Sequence, residues 1–345
     1  MGPDRFEQIA RHYASLRIAV AGDFCLDRYL EIDPAREEVS IETGLPVRNV
    51  IRVRPQPGAA GTVLGNLAAL GVGEIHAIGF CGDDGEGYEL RRALAALPGV
   101  RLDAFLTSPD RRTFTYCKPL LVGPGQPPRE LERLDSKNWT PTPGPLARQL
   151  ADAVRSIAQS ADALILMDQV DVPETGAVAR PVRDAALASL QARPTLLALA
   201  DSRRGLADYP PLAFKMNARE LAALHGNAGI LDTAAAARMA AHLARRNRQP
   251  VFVTLSENGI VGAPPEAPAA HAPSLPIRGP IDIVGAGDAV TANLAAALAA
   301  GATIPEALQI TMAAASVVVH KLGTTGTASP AEIGGLMPEV PQRRA

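Results

Sequence analysis

The chain has 345 residues, 47% apolar and 20% charged, which supports a full buried core and argues against long disorder. Its net charge of −2 offers no basic surplus for nucleic acid or an anionic membrane, so any phosphate site has to be local. The three cysteines, Cys25, Cys81 and Cys117, are scattered without metal-ligand spacing, the pattern of reduced thiols. The most apolar run, residues 289–300, is too short for a membrane span, and the charged, amphipathic N-terminus has no secretory pattern. The expectation is a cytoplasmic protein.

In chain order, residues 5–14 predict a short lead-in helix. Residues 17–21 (RIAVA) predict an apolar strand that stops at Gly22-Asp23, as buried parallel strands do when they deliver side chains to a sheet edge. Residues 28–54 are polar, β-branched and broken by Pro34 and Pro46, which predicts short exposed strands. Residues 58–71 predict a helix closed by Gly71, residues 75–80 a strand, and residues 86–97 a helix after the turn at 82–85. Residues 100–123 alternate as strands again, and residues 123–129 (GPGQPPR) form a loop.

From there the pattern becomes regular. Helices are predicted near 145–159, 175–192, 218–225 and 232–247, and strands at 163–167, 195–200, 214–217 and 251–255. A Pro/Ala-rich connection at 262–280 leads to helices that begin near Gly285 and Ile304, and a polar tail follows Leu336. Strands spaced by helices of this length predict an α/β fold, a doubly wound and mostly parallel sheet flanked by helices. The segments 28–54 and 100–130 do not fit that alternation. They predict a small β lid inserted twice from a single domain of residues 1–345.

The strongest chemical signal is residues 282–288 (DIVGAGD), which precede AVTANLAAALAAG. Gly285, Ala286 and Gly287 stand at a helix start, where small residues allow close backbone approach and unpaired N–H groups attract anions. Asp288 lies in the first turn, placed to accept a proton from a hydroxyl attacking a phosphate held there. On local pattern alone, a helix cap on a tight glycine turn fits as well.

This segment resembles the C-terminal signature of ribokinase-like, PfkB-type sugar kinases. The resemblance implies that Asp288 is the catalytic base, that Gly285, Ala286 and Gly287 form the anion hole, and that Asp282 fixes the loop and contributes to a monovalent-cation site. It spans roughly residues 15–330, with its motifs in family order. Residues 22–29 (GDFCLDRY) resemble the family opening, which makes Asp27 a ligand of sugar hydroxyls; a solvated turn acid is the other reading. This opening and residues 40–47 (SIETGLPV) are similar to kinases of heptose phosphates.

Residues 57–71 resemble the second signature, with Gly58 and Asn66 matching, Ala59 in place of a glycine, and Thr62 where an asparagine often touches sugar. Asn217 and Glu220 match N-x-x-E, whose side chains organise magnesium around the nucleotide, and equally fit a helix cap. Thr254, Ser256 and Gly259 resemble the turn beside the nucleotide, with Ser256 replacing a glycine. His320 falls where the family lines the adenine site, or is a packed histidine. Arg111, Arg112 and Lys118 lie on the expected lid, facing either a substrate phosphate or solvent.

The resemblance thus implies an ATP-dependent kinase for a sugar or sugar phosphate, using Mg²⁺ and in some members K⁺, with no nucleic-acid or membrane partner and with a homodimer formed through the lid. Two other readings stay open: a nucleoside or vitamin-like alcohol kinase of the same fold, and a non-catalytic nucleotide or sugar sensor.

Overall fold

The computed structural model describes residues 1–123, 125, 127–226, 229, 231–323 and 325–337. The chain opens with α1 (Pro3–Ala10) and the strand β1 (Arg17–Gly22). β2 (Phe24–Ile32) leaves the main sheet after one residue, β3 (Glu38–Val39) and β4 (Pro46–Val47) form a small hairpin, and β5 (Val50–Ala59) returns antiparallel to β2. α2 (Ala60–Ala69), β6 (Glu74–Gly82) and α3 (Gly85–Ala95) bring the chain back to the core. The short strands β7 (Val100–Arg101) and β8 (Phe105–Ser108) precede β9 (Thr115–Leu121), β10 (Arg129–Glu130) and β11 (Leu134–Ser136).

The regular alternation then runs α4 (Gly144–Ile157), β12 (Ala163–Asp168), α5 (Arg180–Ala192), β13 (Leu197–Ser202), β14 (Ala213–Asn217), α6 (Ala218–Leu224), α7 (Thr233–Asn247) and β15 (Val251–Thr254). β16 (Ile260–Ala263) and β17 (Ala270–Ala272) add two antiparallel strands at one edge. α8 (Ala286–Ala299), α9 (Ile304–Val319) and α10 (Pro330–Gly334) complete the described chain.

Among the described residues, the main sheet has ten strands in the order β17-β16-β15-β14-β13-β12-β1-β6-β7, with β8 also on β6. Apart from the β15-β16-β17 edge its pairings are parallel. Side-chain alternation explains why this sheet is covered on both faces. In β1, Ile18 and Val20 join one apolar cluster while Ala19 and Ala21 join the other. The first cluster is roofed by α1, α2, α3, α8, α9 and α10, the second by α4 to α7.

The cover helices read as their position requires. α4 buries Leu146, Ala147, Leu150, Ala151 and Val154 on one stripe. α8 differs, because every residue from Ala289 to Ala297 is buried. A helix enclosed on all sides between α2, α9 and the sheet has to be built from small apolar residues, which accounts for its alanines.

The lid is a second sheet, β10-β9-β2-β5, with β11 also paired to β9. Its extent differs from the expectation in two places. β7 and β8 pair parallel with β6 and so belong to the main sheet. Phe105 anchors them, buried edge-on against Phe24 at 5.1 Å between ring centroids. Alternation alone cannot tell such a half-covered strand from a lid strand. The lid also reaches further inward than residues 28–54: the β2–β5 ladder runs to the Phe24–Ala59 pair. The helix expected from residue 58 therefore starts at Ala60, because Gly58 and Ala59 are still committed to that ladder.

A further shift lies at α5, which starts at Arg180 rather than near residue 175. The preceding segment is held as a loop by Asp23, whose carboxylate accepts the N–H groups of Gln169 at 2.8 Å and Ala177 at 2.6 Å. The polar tail after Leu336 lies, beyond Met337, outside the described residues.

Candidate active site

The lid strand β2 and the helix α8 face each other across one cavity of about 240 Å³. Its wall includes Asp27, Ala59 and Thr62 on one side and Gly285 and Asp288 on the other. Sequence segments some 260 positions apart therefore converge: β2 follows directly on the end of β1, and the start of α8 is tied to the end of β13 by the hydrogen bond from Thr291 to Asp201.

Asp27 is buried, 7% exposed, and its Oδ1 lies 2.7 Å from Lys118 Nζ on the neighbouring strand β9. Gly58 makes room for this pair, since a Cβ there would stand 2.5 Å from Asp27 Oδ2. Lys118 is thus a cavity residue, its charge sustained by Asp27 despite burial. Thr62, 6% exposed, also reaches the cavity wall. Asn66 does not. It is fully buried in α2 with its amide donating to the Thr62 carbonyl at 3.0 Å.

Ala59 takes a φ of 53° at the head of α2, a left-handed conformation that costs a residue with a Cβ. The glycine replaced at this position therefore leaves its conformational demand behind. Ser256 repeats the pattern, with a φ of 52° in the turn before Gly259.

The anion loop is built from Gly285 onward. Gly285 caps α8 in the left-handed region, at φ 80°. The Ala286 N–H is taken by the Ile283 carbonyl at 3.2 Å. The next two amides, Gly287 and Asp288, have no intrahelical partner available at a helix start and face outward. Of the three residues expected to form the anion hole, Ala286 therefore has its amide already engaged within the loop.

Asp288 is partly buried among like charges. Burial first, then Asp201 and Asp27, push its carboxyl up to about 7, against the opposing pull of Lys215. A carboxylate poised near neutrality is suited to general-base work.

Asn217 and Glu220 form a reciprocal capping box on α6: the Asn217 N–H donates to Glu220 Oε2 at 2.8 Å, and the Glu220 N–H to Asn217 Oδ1 at 2.9 Å. The helix-cap reading is therefore visible, and Glu220 Oε1 takes no part in the cap. Burial raises the Glu220 carboxyl above its ordinary range. Thr254 ends β15 beside β14, its hydroxyl 3.5 Å from the Met216 carbonyl. The backbone N–H of Asp282 donates to the Val319 carbonyl at 2.7 Å, and its Oδ1 accepts from Val284 at 3.0 Å, so its loop-fixing role is visible. Among the described residues, no three His, Cys, Asp or Glu side chains converge as a metal cluster.

Three further residues land away from the cavity. Arg111 is buried, donating to the Thr140 and Thr175 carbonyls at 3.0 and 2.6 Å, and serves packing rather than a substrate phosphate. The Arg112 backbone donates to Asn138. His320 accepts the Arg278 N–H at Nε2, 2.9 Å, while Nδ1 meets the Ser316 carbonyl, so both ring nitrogens are engaged within the fold. All three cysteines are free and buried.

Sequence reasoning missed Tyr116, Arg133, Gln169 and Arg203, which line the same cavity. Arg203 donates to the Tyr116 hydroxyl at 3.3 Å, and Arg133 stacks over the Tyr116 ring at 4.7 Å. No local motif marks them. Their one signal is position, just past β13 for Arg203 and just before β11 for Arg133.

A family profile described as pfkB family carbohydrate kinase matches residues 24–332. The chain is 32% identical to the bifunctional protein HldE of Gluconacetobacter diazotrophicus over 93% of this chain and 63% of that protein. It is 33% identical to the HldE of Shewanella baltica over 91% of this chain and 62% of that protein. It thus spans a little under two thirds of the length of these relatives. Among solved structures it resembles phosphofructokinase-2 from Escherichia coli in complex with fructose-6-phosphate, with a TM-score of 0.67 and 17% identity over 93% of this chain and 97% of that one. Arabidopsis thaliana ribokinase complexed with ribose and ATP gives a TM-score of 0.63 and 18% identity over 94% and 96%. These two share the fold.

Proposed function

The chain belongs to the pfkB family of carbohydrate kinases, and from that premise we propose that it transfers the γ-phosphate of ATP to a hydroxyl of a sugar phosphate, a heptose phosphate being the specific candidate. The observation that carries this reading is the meeting of Asp27 and Asp288 in one cavity at the start of α8. Asp27 orients acceptor hydroxyls, and Asp288 takes the proton of the one that attacks. The Gly287 and Asp288 amides hold the transferring phosphoryl group. Such transfer needs positioning and charge neutralisation more than covalent help, so this set is sufficient.

The charge around the acceptor favours a phosphorylated one. Lys118, Arg133 and Arg203 line the cavity, and only Lys118 is neutralised within it, by Asp27. Asp135 and Asp171, the partners of Arg133 and Arg203, are not part of its wall. A nucleoside or vitamin-like alcohol would leave both guanidiniums facing a neutral ligand. A non-catalytic sensor would have no use for a base poised near neutrality.

Magnesium belongs to this reading. The sparse oxygen set of Asn217 and Glu220 fits an ion that keeps most of its waters, and the bound ion would neutralise phosphate charge. Asp282 is the candidate contributor to a potassium site. We also propose that the lid pairs with a second copy. The edge strand β5 exposes Val50, Ile51 and Val53 at 44%, 49% and 39%, and the adjoining β3–β4 tip exposes Ile41 at 99%. Sedimentation of the protein beside Ile51→Lys measures this: a dimer that the substitution dissociates is expected.

The deciding experiment is ATP consumption with magnesium against sugars, sugar phosphates and nucleosides, run beside Asp288→Asn. Turnover on a sugar phosphate, lost in the variant, is the expected result. A near-wild-type rate in the variant removes Asp288 from the role of base.

A further inference from the structure

Beneath the first turn of α8 lies a buried ion pair that the phosphoryl transfer described above does not use. Asp201 is in β13 and Lys215 in β14, one step past the Ala200–Phe214 pair that joins these parallel strands. Their exposures are 6% and 7%, and Lys215 Nζ lies 2.8 Å from Asp201 Oδ2. The same oxygen accepts the hydroxyl of Thr291, one turn into α8, at 2.8 Å. That hydroxyl oxygen is also 3.1 Å from the Gly287 carbonyl.

The pair therefore touches the backbone of the anion loop from below. A Cβ on Gly287 would stand 3.4 Å from Lys215 Nζ. An ammonium under the positive end of a helix is badly placed for stability alone, because helix dipole and desolvation both oppose it. The placement is explained if its charge serves the groups above it.

We infer that Lys215 and Asp201 form a positioning pair for the base: Lys215 favours the ionised form of Asp288, and Asp201 limits that pull while anchoring α8 through Thr291. This rests on the reading of Asp288 as the base. The groups facing Asp288 are Asp27 from β2, Asp201 from β13 and Lys215 from β14, with Glu220 of α6 acting on Lys215. Cys25, Lys118, Arg133 and Arg203 complete the charged and titratable wall of the cavity. Lys215 lowers and Asp201 raises the Asp288 carboxyl, so their removal has opposite signs.

The test is the pH dependence of kcat/KM for the acceptor, measured on the full chain with ATP and magnesium. In Asp201→Asn the ammonium is no longer shared, and the acidic midpoint falls by about one pH unit, so that near pH 6 the variant keeps several-fold more of its plateau rate than the wild type. In Lys215→Met the Asp201 charge acts unopposed, held by Thr291, and the midpoint rises. The double variant returns close to wild type, and Lys215→Arg preserves the wild-type midpoint. A purely structural pair would lower melting temperature without moving midpoints in opposite directions. Unmoved midpoints, or a common direction in the two single variants, overturn the inference. If Asp201→Asn fails to fold, the upward shift in Lys215→Met decides alone. An active Asp288→Asn would instead defeat the base reading itself, which separates the two failures.

Discussion

The two walls of the cavity differ in how firmly they are built. Asp288 stands at the head of a helix whose residues 289–297 are all buried, above an ion pair drawn from two buried strands. Asp27 stands on a lid strand whose outer half is only partly covered and whose neighbour β5 is exposed over half of its residues. In the reaction proposed above, the firmer wall would hold the phosphoryl group and the base, and the looser wall the acceptor. A site that must do one chemistry on different acceptors benefits from placing each task where the packing suits it.

The comparison can be broken most directly from the rigid side. Asp288→Asn is expected to lower kcat by roughly 10²- to 10⁴-fold with KM for ATP little changed, measured by steady-state kinetics. If the acceptor KM moves instead, the division of labour is wrong. Next in size is the lid side: Asp27→Asn is expected to lower kcat/KM for the acceptor by roughly ten- to a hundred-fold, since it weakens charged hydrogen bonds while sparing the base.

A comparable loss is expected from Arg203→Met, but only for a phosphorylated acceptor. The same sugar without its phosphate should show nearly equal kcat/KM in variant and wild type. Equal losses on both would reassign Arg203 to holding the lid through Tyr116 and Asp171. The pH profile sharpens the picture of the rigid wall. With the Asp288 carboxyl pushed up to about 7, its protonated form dominates below that pH, so kcat/KM should fall about tenfold per unit on the acidic side and level off above.

The smallest effect concerns Ala59, where β5 passes into α2. Ala59→Gly relieves a positive φ and is expected to raise the unfolding free energy by about 1 kcal/mol in urea titrations. A loss of stability would mean that the Ala59 methyl contributes packing that outweighs the strain.

The rigid wall was also the more legible one. Gly285 to Asp288 and the helix after them are contiguous, so one short run could carry the family resemblance, although the local pattern alone fitted a helix cap as well. Asp27 and Lys118 were nameable for similar reasons, each on a recognisable strand. Arg133, Arg203, Asp201 and Lys215 were not, because topology and strand register bring them in. Asp201 did leave a trace, since residues 197–201 (LALAD) repeat the apolar-strand-then-acid form of residues 18–23 (IAVAGD). Asn66 shows the limit of a motif match: its position along α2 turns its amide toward the Thr62 carbonyl, and it is not part of the cavity wall. The lid boundaries differed where β7 and β8 pair with the main sheet, a choice made by Phe105 burial rather than by alternation.

Full enclosure of α8 has a kinetic corollary. Its central amides, residues 290–297, open to solvent only when the packing around them separates, so they should report near-global unfolding in hydrogen exchange. Among the described residues no strand of the same chain lies beyond β5, so its outward amides should exchange early in a protomer not paired through the lid. Opening and closing of the cavity would then be carried by the lid against a stationary floor, and the interval between those two exchange rates would measure how independently the lid moves.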